Sequence, residues 1–112
     1  MENNIQQQIV NYFNNTYCLK HHNPRSIIFS VPNGSSRSIQ EAMMLKATGL
    51  FAGVSDLILI HNGKVIFIEV KQPTKKQQPI QLEFEQRVKA QGFEYFVVYS
   101  LEDFKAILIF NN

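Results

Sequence analysis

Asp56, Glu69 and Lys71 are the residues of this 112-residue chain whose types and spacing could do chemistry together. Asp56 ends Gly53-Val54-Ser55-Asp56, and the other two lie in Ile68-Glu69-Val70-Lys71. Midway between the acids stands Asn62-Gly63, the strongest short-range signal for a two-residue hairpin turn, because both central positions need positive φ. That turn pairs His61 with Lys64, Ile60 with Val65, Leu59 with Ile66, Ile58 with Phe67, Leu57 with Ile68, and Asp56 with Glu69. Lys71 falls on the same face as Glu69, since side chains alternate with period two. Directly opposed residues hold their Cβ atoms about 4.5–5.5 Å apart, where like charges destabilise. Apolar neighbours add a desolvation cost. A shared proton, a nearby cation or a divalent metal would compensate, and two carboxylates plus water suit Mg²⁺ or Mn²⁺. A solvated strand end neutralised by Lys71 is the simpler reading of so short a pattern. The register and the apolar setting favour the functional one.

The elements that must position these groups follow from local patterning. Ile5, Ile9, Tyr12 and Phe13 recur at helical spacing and predict a helix over Glu2 to Asn14, with Glu2 on the buried stripe. Ile27 to Val31 is a β-branched and aromatic run stopped by Pro32, and Asn33-Gly34-Ser35-Ser36 reads as a turn. Ser38-Ile39-Gln40-Glu41 is a capping box opening a short helix that Gly49 closes. The hairpin is apolar on both faces, which predicts burial on both sides, a central place in the sheet and covering helices. Pro79 suits the first position of a helix whose buried stripe is Ile80, Phe84 and Val88, with Gln81 bordering that stripe and Gly92 as terminator. Glu94 to Tyr99 is another strand, and Ser100 caps a last helix carrying Phe104, Ile107 and Leu108. The order α-β-α-ββ-α-β-α makes an α/β fold, and the crossover sets the last strand parallel to the one bearing Glu69.

A length of 112 residues bounds this to one domain, residues 1–112. With 45% hydrophobic and 18% charged residues, the composition is that of an ordinary globular protein. A net charge of +2 does not by itself announce nucleic acid, although Lys20, Arg25, Arg37, Lys75 and Lys76 gather in basic stretches. Cys18 is alone, which excludes an intrachain disulfide and a Cys-based zinc site. His21-His22 and His61 lack a Cys partner and read as surface residues. No signal peptide is visible, and the run Leu57 to Ile60 is far too short to span a membrane. A reducing, cytoplasmic setting is expected.

The ordered set of Glu2, Val31-Pro32-Asn33-Gly34 with Arg37, Gly53-Val54-Ser55-Asp56, Phe67-Ile68-Glu69-Val70-Lys71 and Gln78-Pro79-Ile80-Gln81 resembles the virus-type replication-repair nuclease (VRR-NUC) domain of the PD-(D/E)xK nuclease superfamily. The likeness covers nearly the whole chain. It implies a restriction-endonuclease-like α-β-α sandwich with a central mixed sheet. It also implies that Asp56, Glu69 and the Val70 carbonyl bind Mg²⁺ or Mn²⁺, with Glu2 contributing directly or through water. Lys71 would orient or help deprotonate the attacking water, and Gln81 would hold Lys71 or the substrate phosphate. Ser55 stands where the family usually has Pro before the motif Asp. Ser permits the same extended backbone and leaves each ligand type intact.

The resemblance implies a metal-dependent, structure-selective DNA endonuclease without an organic cofactor. Compact single-domain members resemble Holliday-junction resolvases, so branched DNA as substrate, a homodimer, and a bacterial or phage-infected host cell are expected. Arg25, Arg37, Lys75 and Lys76 are candidate phosphate contacts that would sense backbone geometry. A flap or other branched-DNA nuclease, a non-catalytic DNA-binding module, and a structural protein whose ionic cluster neutralises itself are the competing classes.

Overall fold

A computed structural model describes residues 2–32 and 38–111, apart from the Glu2 side chain. The helices are α1 (Glu2–Tyr17), α2 (Ile39–Ala47), α3 (Pro79–Ala90) and α4 (Leu101–Phe110). The strands are β1 (Ile27–Ser30), β2 (Leu57–His61), β3 (Lys64–Val70) and β4 (Glu94–Val98). They form one mixed sheet in the order β1-β2-β3-β4, with β3 and β4 parallel and the other neighbours antiparallel. The turn is made by Asn62 (φ 52°) and Gly63 (φ 76°), which locks the pairing of Leu57 with Ile68 through His61 with Lys64. The predicted register is therefore the observed one over these five pairs.

Alternation along the strands divides the sheet into two unlike faces. Leu57, Leu59, Ile66, Ile68 and Val98 are fully buried with Ile9 and Phe13 of α1 and Phe104 and Leu108 of α4. The opposite face is covered by α3 over the β3–β4 side, where Phe84 meets Phe67 and Tyr95 edge-on at 5.7 and 6.1 Å between ring centroids. On its β1–β2 side, Ile27, Phe29 and Ile60 are 49, 42 and 41% exposed. The expectation of a hairpin buried on both sides thus holds for one face and for the β3 side of the other, but not over β2, where Ile60 is exposed and α2 buries none of its residues.

Further differences are local. α1 runs on to Tyr17: Thr16 Oγ1 donates to the Tyr12 carbonyl at 2.6 Å, and Phe13 and Tyr17 pack ring to ring. His61 is buried rather than superficial, with Nδ1 2.6 Å from Ser26 Oγ and its ring against Phe13 and Tyr17. Ile80, expected in a buried stripe, is 47% exposed at the start of α3, whereas Val88 is buried. The turn expected at 33–36 lies outside the described residues.

Candidate active site

Asp56 and Glu69 meet at the end of the sheet away from the Asn62-Gly63 turn. The β2–β3 ladder ends at Leu57 and Ile68, so Asp56 sits one residue beyond it. Its carbonyl accepts from the Val31 N–H at 3.2 Å, and its Oδ2 accepts from the Val70 N–H at 2.8 Å. The carboxylate is thus fixed across the open end of the hairpin beside Glu69. Ser55, fully buried, donates its Oγ to the Leu57 carbonyl at 3.2 Å and steadies the approach to the strand. Gly53 (φ 82°) brings this loop so close to α3 that a Cβ there would overlap the Ile80 backbone carbonyl. Phe51 reinforces the contact, lying under the Arg87 guanidinium and against Phe84.

Glu69 is 2% exposed. Its Oε2 accepts from Gln81 Nε2 at 3.0 Å and stands 3.6 Å from Lys71 Nζ. Gln81 is itself oriented, because its Oε1 accepts from the Gln78 N–H at 2.8 Å at the N-terminus of α3. The other carboxylate oxygen, Oε1, is buried with no hydrogen-bond partner among the described residues. Burial pushes the Glu69 carboxyl up to about 7 and the neighbouring Asp56 charge adds to the rise, against the opposing pull of Lys71 and the Asp56 backbone. Lys71 is buried too, and its backbone N–H donates to the Val98 carbonyl at 3.0 Å, tying the strand end to β4.

The other candidate residues divide by position. The first turn of α1 lies at this same end of the sheet, since Asn3 and Gln6 share a shallow pocket with Phe29 and Ser30. Glu2 is the first residue of that helix, and its side chain lies outside the described residues. Lys75 and Lys76 are exposed in the segment joining Lys71 to α3. Gln77 anchors that segment by donating Nε2 to the Tyr95 hydroxyl at 3.2 Å. Burial, with the Glu69 charge nearby, raises the Tyr95 phenol above its ordinary value. Arg25 is not brought to the site: it precedes β1 at the hairpin-turn end, where its Nε donates to the Cys18 carbonyl at 2.9 Å. Arg37 lies outside the described residues. Tyr95, the buried Ser55–Leu57 hydrogen bond and the seating of Gly53 on α3 are the contributions that sequence reasoning did not find. Of these only glycine three residues before Asp56 carried a signal.

The donor set fits a hard divalent cation. Two carboxylates converge, one has a buried oxygen left over, and the Val70 backbone N–H holds the Asp56 carboxylate in place. No third His, Cys, Asp or Glu joins them in a cluster among the described residues. The rest of a coordination sphere would come from water, from substrate oxygens, as Mg²⁺ commonly uses, or from the Glu2 side chain, which lies outside the described residues.

With this fold and site in view, comparison with known proteins is direct. The model of the VRR-NUC domain family matches residues 1–102, and the chain belongs to that family of nuclease domains. A solved structure of a VRR-NUC domain protein superposes with a TM-score of 0.74 at 21% identity, covering 96% of this chain and 84% of the other. A second solved VRR-NUC domain gives 0.66 at 20% identity, covering 96% and 92%. At these identities the likeness establishes the α/β fold with its four-stranded mixed sheet. No match was found among curated protein sequences. Among the described residues, no helix is long and apolar enough to cross a membrane.

Proposed function

We propose that this nuclease domain is a Mg²⁺- or Mn²⁺-dependent, structure-selective DNA endonuclease that hydrolyses phosphodiester bonds at four-way junctions and works as a homodimer. The observation that carries the chemistry is the Glu69 carboxylate, buried beside Asp56 with its Oε1 left without a well-formed hydrogen bond among the described residues. A polar oxygen in that state costs free energy unless a cation or proton takes it. Asp56, Glu69 and the Val70 carbonyl would hold the ion, with Glu2 acting directly or through water. When bound, the ion supplies a Lewis acid for the phosphate and a water of lowered pKa.

The chain's own residues do the rest. Gln81 keeps the Glu69 carboxylate turned by holding Oε2, so that Oε1 faces the ligand. Lys71, within 3.6 Å of Glu69, orients the attacking water and sets positive charge against the phosphate oxygens as negative charge develops. Lys75 and Lys76, exposed in the segment that leads from Lys71 to α3, would take flanking phosphates, contacts that position DNA without reading bases. Arg37, outside the described residues, would be a further phosphate contact on the family resemblance alone. Arg25, at the other end of the sheet, would reach only a duplex arm lying along it. A C2 dimer would present two such sites for paired cuts in strands of like polarity.

The test is incubation of labelled four-way, flap, splayed-arm and linear DNA with Mg²⁺, Mn²⁺ or chelator. Four-way DNA should be cut with either ion and not with chelator. Glu69→Gln and Lys71→Ala should each slow cutting by on the order of 10²–10³-fold, while Lys71→Ala retains junction binding. Calorimetric Mn²⁺ binding should disappear in Glu69→Ala. Cleavage that survives both substitutions would remove the assigned site. A monomeric mass at working concentration, with single nicks per junction, would remove the dimer.

A further inference from the structure

Next to the carboxylates lies a groove that the hydrolytic chemistry leaves unused. It has a volume of about 500 Å³, runs between α2 and the N-terminus of α3, and includes Ala42, Lys46, Leu50 and Ile80 together with Asp56 and Gln81. We propose that it takes one unstacked nucleobase of the strand being cut, so that the enzyme selects DNA with an unpaired or unstacked nucleotide next to the scissile phosphate. This deepens, and rests on, the nuclease reading of Asp56, Glu69 and Lys71.

Four observations support a base as the occupant. The walls are mostly apolar side chains, which suit an uncharged planar ring and oppose a phosphodiester backbone. The volume falls in the range of about 300–1,000 Å³ that small ligands use, which admits one base with its sugar but not a base pair within a duplex. The groove shares Asp56 and Gln81 with the reacting centre, and Gln81 Nε2 is 3.0 Å from Glu69 Oε2. A base there belongs to a nucleotide adjoining the phosphate under attack. Finally, Lys46 supplies a cation for a phosphate flanking the docked base. On the α3 side, Gly53 lies directly against the Ile80 backbone, which sets the floor of the groove close to the reacting centre.

The consequence is selectivity without base-edge readout. Drawing a base from a continuous stack costs free energy, and the cost is least where the base is already unpaired, as at a branch point. The same hydrolytic site would then prefer branched DNA over linear duplex.

A 2-aminopurine placed at the branch point of four-way and flap DNA reports unstacking by its fluorescence. Adding the Lys71→Ala protein should raise that signal severalfold on branched DNA and leave it unchanged on linear duplex. Ala42→Phe fills the groove from an exposed position on α2 and should abolish the rise, with an unaltered urea midpoint showing the fold intact. In the wild-type background Ala42→Phe should slow branched-DNA cleavage about tenfold, in line with losing the burial of roughly 50–60 Å² of apolar surface. An abasic branch-point nucleotide should slow wild type equally and cost Ala42→Phe nothing further, since both remove one interaction. Unchanged fluorescence, or wild-type cutting by Ala42→Phe, overturns the groove assignment. A fluorescence rise without any cleavage by wild type overturns the nuclease reading instead.

Discussion

The two faces of the β2–β3 hairpin are built from alternate residues of the same two strands, yet they are physically opposite. One carries Leu57, Leu59, Ile66, Ile68 and Val70, all at most 1% exposed. The other carries Ile58, Ile60, Phe67, Glu69 and Lys71, with Ile60 41% exposed and the two ionisable groups buried at the strand end. Packing by α1 and α4 makes the first face the source of stability. The partial cover of α3 leaves the second face room for a groove and imposes a desolvated acid. The protein thus separates its stabilising residues from the candidate site residues by a one-residue offset in sequence, and the register fixed at Asn62-Gly63 keeps them apart.

The largest expected difference between the faces is in packing. Leu59→Ala, on the closed face, should lower unfolding free energy by about 2–5 kcal/mol, the range for a buried leucine that leaves a cavity. Its neighbour Ile60→Ala should cost about 1 kcal/mol or less, being a partly solvated site. Urea unfolding of both variants measures the contrast. Equal losses would show that the open face is covered in solution.

Next in size is a pH effect confined to the open face. The Glu69 carboxyl is raised from its ordinary value near 4.5 to about 7, so the folded protein binds this proton more tightly than the unfolded chain does. The favourable contribution is therefore complete below about pH 4.5 and is lost as pH rises through 7, where the buried charge is fully formed. Across that window, in chelator, Glu69→Gln should gain stability relative to wild type by on the order of 2–3 kcal/mol. Divalent ion should reverse the trend for wild type, because it binds the carboxylate and not the acid. A pH-independent difference between the two proteins would place the cost of Glu69 in packing rather than charge.

How much of this was legible in the sequence varies with the range of the interactions. The hairpin register was, because one dipeptide with obligatory positive φ fixes it. The caps at Ser38 and Ser100 and the start of α3 at Pro79 were equally local. The asymmetry of the faces was not, since Ile, Leu, Val and Phe occur on both and only the placement of helices distinguishes them. His61 was misread for the same reason: its partners Ser26, Phe13 and Tyr17 are far away in sequence. Asn14-Asn15-Thr16 reads as a helix end on propensity, but packing of Tyr17 on Phe13 and His61 carries α1 through it. At the site, the Asp56–Glu69 pair followed from the hairpin. Gln81 entered through family resemblance, and only the structure shows that it grips Glu69 rather than Lys71.

The smallest effect separates the helices attached to the two faces. Ser100 Oγ accepts from the Asp103 N–H at 3.1 Å to cap α4, and Ser38 Oγ accepts from the Glu41 N–H at the same distance to cap α2. The chemistry is the same, and loss of such a cap costs about 1 kcal/mol. α4 buries Phe104 and Leu108 in the core, so it unfolds only with the whole domain, and Ser100→Ala should lower global stability by about that amount. α2 buries no residue, so it can open while the core stays folded. Ser38→Ala should therefore leave the urea midpoint unchanged and speed amide exchange over residues 39–47 about fivefold, the factor that about 1 kcal/mol represents. A midpoint that falls as far as in Ser100→Ala would mean that α2 is integral to the core after all, and that the wall of the groove is as rigid as the closed face.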